Sequence, residues 1–277
     1  MMQATLSSWY LFFTATIVFS QAPVPPVKTG PAPGESPVQL VRNEASTGLE
    51  LWRTQLGELW VPGPGQELME LLVWEQMFQK VYSHDLVQVR PGDVVIDCGA
   101  HVGMFTRLAL RMGAQLVVAV EPERMNLVAF RRNFAQELEA GKVRLVEKGV
   151  WEKAGWLQLR LSTVNTGSHS LVFSKNIKGT ESIEVTTIDS LVDSLKLARV
   201  DFVKMDIEGS ETHALRGSLQ SLKRWKPRLA ISSYHLKGDP ANICGIVWKA
   251  RPDYLTTSKN LELPQHGTVV PKVLFFY

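Results

Sequence analysis

Carboxylates stand in this sequence where apolar runs stop. Asp97 follows Val94-Val95-Ile96, Glu121 follows Gln115–Val120, and Asp206 follows Val200–Met205 with Glu208 shortly after. His235 closes a further run, Arg228–Tyr234. The ends of buried parallel strands collect on one rim of an open α/β sheet, and that rim is where such sheets bind ligands. A carboxylate there accepts hydrogen bonds from ribose hydroxyls. A histidine on the same rim has an ordinary pKa near neutrality, which suits proton transfer. The residue types alone describe a site that grips a nucleoside and handles a proton.

The elements around these residues support that description. Val94–Ile96 is an unbroken β-branched run, as in a strand buried on both faces of a parallel sheet. Gly99 and Gly103 bracket a tight turn, and a helical pattern follows, with Met104, Phe105, Leu108 and Met112 on one face and Gly113 as its stop. Glycine lets the backbone approach a ligand, and a helix amino end offers free N–H groups. The Gly99-x-x-x-Gly103 spacing departs from the G-x-G-x-x-G of dinucleotide enzymes, and both strand ends are acidic. S-adenosylmethionine has no pyrophosphate to cradle and carries sulfonium and ammonium cations, so this combination fits it better than NAD. A nucleotide-free α/β turn is the plain alternative. The expected cofactor set is Asp97, Gly99, Gly103 and Glu121, with Ala100 and His101 of the same turn.

Three stretches, VVIDCGAHVG, VEPERMNLVAFRRN and VDFVKMDIEGSETHALRG, resemble the FkbM family of S-adenosylmethionine-dependent methyltransferases over roughly Tyr82 to Tyr254. DIEGSE, Asp206–Glu211, is the most specific part, and His101 stands where family members more often carry Asn. The resemblance implies a Rossmann-like class I methyltransferase: an α/β fold with a mostly parallel seven-stranded sheet flanked by helices and a small β-rich insertion. It implies O-methylation of a hydroxyl on a saccharide or secondary metabolite, and it adds Asn126 as a cofactor contact. A nicotinamide oxidoreductase, disfavoured by the glycine spacing, and a non-catalytic module that binds the cofactor are the competing readings.

On the acceptor side, Asp206 and Glu208 read as a general base, a metal site or helix-start carboxylates. His235 is the favoured base, with Asp206 or Glu208 orienting it or the acceptor. Mg2+ on Asp206, Glu208 and His235 ranks second, because one histidine and two acids are too few to specify a metal. The reading therefore includes no metal. Glu211, in the first helical turn, is explained by the helix dipole. His169 sits in the polar loop Asn165–His169 and reads as solvated before it reads as a substrate contact. Trp151 reads as core before it reads as a wall beside adenine.

The rest of the chain supplies scaffold. Glu123–Leu138 has the spacing of one crossover helix and Val143–Val146 that of a strand. Trp156–Leu161, Ser168–Phe173 and Ile183–Ile188 form the β-rich insertion, and Ile243–Lys249 a short helix. Val269–Tyr277 reads as a closing edge strand, where Pro271 is tolerated at an edge or bulge. Glu67–Tyr82 carries an apolar stripe at helical spacing, a packed helix or a lid. The 277 residues suffice for one sizeable domain with additions, and 45% hydrophobic with 21% charged residues is ordinary for a folded enzyme. A net charge of +3 argues against nucleic acid as partner, and two cysteines, Cys98 and Cys244, give neither a disulfide framework nor a zinc spacing.

Ala4–Ala22 is apolar and uncharged, a signal peptide or a membrane anchor. Ser20-Gln21-Ala22 favours cleavage and export. The basic residues Lys28, Arg42 and Arg53 on its carboxyl side favour an anchor that holds the catalytic domain in the cytoplasm, and that is the placement expected. A proline-rich linker over residues 23–47 and a methyltransferase domain over 48–277 complete the expected organisation.

Overall fold

The computed structural model describes residues 36–163, 166–172, 176–262 and 269–277. Strands β1 (Gln39–Glu44), β2 (Leu49–Thr54) and β3 (Gly57–Pro62) form an antiparallel sheet in that order. Its start falls within the stretch expected to be linker. Helix α1 (Gln66–Val73) continues into a single π-helical turn, Trp74–Phe78. The helix expected over Glu67–Tyr82 therefore ends early, and Tyr82 lies beyond it. Leu49, Leu59, Val61 and Met69 from this region bury against Met104 and Ala129. Asn133 locks the contact with two bonds, accepting from the Trp60 N–H at 2.6 Å and donating to the Trp60 carbonyl at 2.9 Å.

The central layer follows. β4 (Val94–Cys98) is buried at every position, as its apolar run requires. α2 (Met104–Arg111), β5 (Leu116–Val120), α3 (Arg124–Asn133), α4 (Ala135–Glu139) and β6 (Val143–Val146) complete the first half. The expected Glu123–Leu138 helix breaks at Phe134, where φ is −128°; its ring stacks on Phe130 at 4.5 Å and fills the space beside Gly103. β7 (Gly149–Val150), β8 (Gly155–Ser162) and β9 (Ile177–Thr186) form the insertion, a three-stranded sheet ordered β7-β9-β8. Of the strand expected over Ser168–Phe173, the described residues 168–172 form no part. Thr166–Ser168 is a 3-10 turn, and Ser170 makes an isolated bridge to Arg160.

The second half is α5 (Ile188–Ser194), β10 (Phe202–Met205), α6 (Glu211–Arg216), α7 (Leu219–Trp225), β11 (Arg228–Ser232), α8 (Asp239–Ala250), β12 (Thr256–Glu262) and β13 (Val269–Phe276). The seven-stranded sheet has the order β12-β13-β11-β10-β4-β5-β6. It is parallel except for β13, which pairs antiparallel with both neighbours. β13 is thus interior, not the edge strand expected, and β12 takes the edge. Pro271 sits opposite Asn260, next to a register irregularity in that pair, which meets the requirement for a strand proline. Alternate residues of β4 serve the two faces. Val94, Ile96 and Cys98 join the core under α5 to α8, while Val95 joins Phe105, Phe130 and Phe134 under α2 and α3.

The expected placement as a membrane-anchored protein is corrected. Among the described residues no helix is long and apolar enough to cross a membrane. The apolar stretch Ala4–Ala22, and the proline-rich stretch up to residue 35, lie outside the described residues.

Candidate functional site

The carboxyl ends of β4, β5 and β10 open on one cleft with a cavity volume of about 70 Å3. Gly99, His101, Glu121, Asn126, Asp206 and Glu208 line it, together with Thr166 and His169 of the insertion. The turn after β4 is built for this place. Gly99 has φ +76°, and a Cβ there would lie 2.0 Å from the Asp206 carbonyl oxygen. His101 also adopts the left-handed region, at φ +52°. Asn, Asp and His are the side chains best tolerated there, which accounts for both the Asn common in the family and the His found here. Gly103, at φ +94°, precedes α2, and a Cβ would lie 2.1 Å from the Phe134 ring.

Glu121 is a buried hub on the rim after β5. It accepts from the His101 N–H at 2.8 Å, the Glu123 N–H at 3.0 Å and Asn126 Nδ2 at 3.2 Å. Burial pushes its carboxyl up to about 7, against the lowering effect of these donors. Asn126 is in turn set by α3, whose amino end is capped by the Glu123 side chain at 2.6 Å. His101 Nε2 lies 2.9 Å from Thr166 Oγ1, and burial, then the Lys204 charge, depress its imidazole to about 3. His169 is likewise depressed by burial, to about 4, and its Nδ1 accepts from the Ser162 N–H at 2.9 Å.

Asp97 does not reach the cleft. It is fully buried, accepts from Thr106 Oγ1 at 2.7 Å, and pairs with Lys204 at 3.2 Å across the β4–β10 register. Lys204 also donates to the Gly99 carbonyl at 2.7 Å. Burial works against its charge, but Asp97 and Asp206 raise its pKa overall. The expected cofactor set therefore splits. Gly99, His101, Glu121 and Asn126 face the cleft, whereas Asp97, Ala100 and Gly103 are absent from its lining.

On the rim after β10, Asp206, Glu208, Glu211 and His235 converge. His235 Nδ1 lies 3.1 Å from Glu211 Oε1, and its Nε2 lies 3.6 Å from both Asp206 Oδ1 and Glu208 Oε1. Burial disfavours the imidazolium, but Glu208, Glu211 and Asp206 outweigh it and raise the pKa to about 11. The His235 side chain is 4% exposed, against 24% for Asp206 and Glu208. Burial raises Glu208; for Asp206 burial is overcome by Lys204 and His235, and the carboxyl is lowered. Glu208 has φ +52°, which carries the chain over the rim before α6.

Three members were not read as site residues. Tyr82 donates to Asp206 Oδ2 at 2.5 Å from a loop that the stripe pattern placed in a helix. Lys204 had a signal, a lone charge inside an apolar strand. Glu211 is wholly buried and accepts from the Ile207 N–H at 3.0 Å, a larger role than a helix-dipole charge. Trp151 stacks on His213 at 3.8 Å away from the cleft, as a packing residue.

The Methyltransferase FkbM domain family matches residues 97–254. A curated relative, 31-O-demethyl-FK506 methyltransferase FkbM of Streptomyces tacrolimicus, is 27% identical over 178 residues, covering 53% of this chain and 68% of the relative. Among solved structures, methyltransferase FkbM from Methylobacillus flagellatus KT is similar with a TM-score of 0.53 and 26% identity. That match covers 69% of this chain but only 45% of the solved chain, less than half its length.

Proposed function

Because the chain belongs to the FkbM methyltransferase family, whose match spans more than half of it, we propose that it moves a methyl group from S-adenosylmethionine to a hydroxyl of a small-molecule or glycan acceptor. Family membership sets aside the nicotinamide oxidoreductase. The curated relative is named for an oxygen acceptor, which favours a hydroxyl here. A saccharide or a secondary metabolite is the acceptor class the reading carries.

The cleft residues fit the cofactor. Asn126 Oδ1 is buried without a hydrogen-bond partner beside Glu121, so acceptor oxygens are available for ribose or adenine donors. Glu121, Asn126, His101 and the Gly99 turn would hold it, while Asp97 acts from beneath through Lys204. When bound, S-adenosylmethionine supplies a methyl group already activated on a sulfonium. The chain's own work is then positioning and removal of the acceptor proton.

The proton acceptor is reassigned from His235 to Glu208. His235 is enclosed and does not line the cleft, whereas Glu208 does. The observation that carries the proposal is that Glu121 and Glu208 line the same cleft, in which Gly99 packs against the Asp206 carbonyl. The test is radiolabelled methyl transfer from S-adenosylmethionine into simple glycosides and other hydroxyl compounds, then into a cell lysate. The expected product is a methyl ether. Glu208→Gln should lower turnover by about 100-fold or more at unchanged cofactor affinity, the usual span for a lost general base. Label found in amines, or no transfer by a protein that binds the cofactor, refutes the O-methyltransferase reading.

A further inference from the structure

The acceptor rim leaves three polar atoms without hydrogen-bond partners, one on each of three neighbouring side chains: Asp206 Oδ1, Glu211 Oε2 and His235 Nε2. The Glu211 side chain is wholly buried and that of His235 is 4% exposed. Each of the three is also held through its other polar atom. Tyr82 donates to Asp206 Oδ2. The Ile207 N–H donates to Glu211 Oε1, and His235 Nδ1 lies 3.1 Å from that same oxygen. One atom of each side chain fixes its orientation, and the other has no hydrogen-bond partner. A ligand atom from each of the three residues lies within 4.8 Å of those of the other two. Without an ion, His235 is itself the cation among these carboxylates, with Nε2 3.6 Å from Asp206 Oδ1 and Glu208 Oε1; a divalent ion would take the place of the Nε2 proton, which is released on binding. Side chains held by outer hydrogen bonds are how proteins orient metal ligands.

We propose that Asp206, Glu211 and His235 bind a divalent first-row metal ion. Glu211 takes the place that the sequence gave to Glu208, whose Oε1 lies 3.6 Å from His235 Nε2 on the rim. One nitrogen and two carboxylates suit Mn2+ or Zn2+ better than Ca2+, which takes six to eight oxygens. Asp206 lines the cleft, so an ion held by it would be reached from the cleft. A hydroxyl that binds there becomes more acidic, and Glu208 stands on the same rim to receive its proton. The ion does not depend on which hydroxyl is methylated, because its binding is measured directly.

The test uses the full chain, stripped with a chelator and titrated with MnCl2, followed by electron paramagnetic resonance and calorimetry. One saturable Mn2+ per chain is expected, not displaced by an equal concentration of CaCl2. His235→Ala and Asp206→Asn should each weaken Mn2+ binding by tenfold or more while circular dichroism stays that of the wild type. These two variants are chosen because Glu211 also holds the Ile207 backbone. A wild-type chain with no saturable Mn2+ binding overturns the proposal. So does unchanged Mn2+ affinity in both variants. Loss of methyl transfer alone leaves it standing.

Discussion

Replacing Glu121 with Gln probes the cofactor end through its pH dependence. The carboxyl is 5% exposed, and burial raises it to about 7 despite three donors. The folded chain thus holds this proton more tightly than the unfolded chain, where the ordinary value is 4.5. Without cofactor, the group's contribution to stability is fully present below about pH 4.5 and lost as pH rises through about 7, on the order of 3 kcal/mol in total. Ribose hydroxyls donate to the ionised carboxylate, so cofactor binding favours the deprotonated form. From pH 8 down to pH 6 the proton increasingly has to leave first, and affinity for S-adenosylmethionine should fall about tenfold. Calorimetry at pH 6, 7 and 8, in buffers of different ionisation enthalpy, should show close to one proton released at pH 6 and almost none at pH 8. Glu121→Gln should abolish that release and, by losing charge-assisted hydrogen bonds worth about 1.5–3 kcal/mol, weaken binding at pH 8 by about 10-fold or more. The cofactor's own amino group titrates near pH 8 against either protein, so the difference between the two profiles is what counts. Superimposable profiles, or full affinity in the variant, refute the reasoning.

Other perturbations report on the scaffold beneath. Lys204→Met leaves the fully buried Asp97 without its cation and should cost about 3–5 kcal/mol in urea unfolding, with part recovered by adding Asp97→Asn. Tyr82→Phe keeps the ring packed edge-on against Phe105 but removes the hydrogen bond to Asp206; turnover should drop about tenfold or more with cofactor affinity kept within about threefold. Gly99→Ala combines a left-handed φ, about 1–2 kcal/mol, with a Cβ driven into the Asp206 carbonyl; stability should fall by about 2 kcal/mol or more and calorimetry should detect no cofactor binding.

The first half of the sheet was legible because its strands are short apolar runs closed by acids and glycines. Val94–Cys98 and Leu116–Val120 form where the runs predict, and α2 ends before Gly113. Asp206, Glu208 and His235 were placed on one rim by the same logic, and the structure brings them together. What stayed illegible depends on distant partners. Asp97 looked like Glu121 in sequence, but its register opposite Lys204 turns it into an internal ion pair. The helix through Phe134 breaks because its ring packs on a glycine thirty-one positions earlier, which no local periodicity encodes. Tyr82 shares a stripe with α1 yet belongs to the rim, since a π-helical turn ends the helix and redirects the chain. β13 carries the same residue types at an edge or in the interior, so sequence did not separate the two.

The position of β13 has a consequence for how this protein is made and handled. Among the described residues β11 and β12 meet through it. Until β13 is in place, β11 presents a bare row of backbone donors and acceptors. An open apolar strand edge is a template for association with other chains. Cleavage that removes residues 269–277 should therefore yield aggregates, which light scattering would detect.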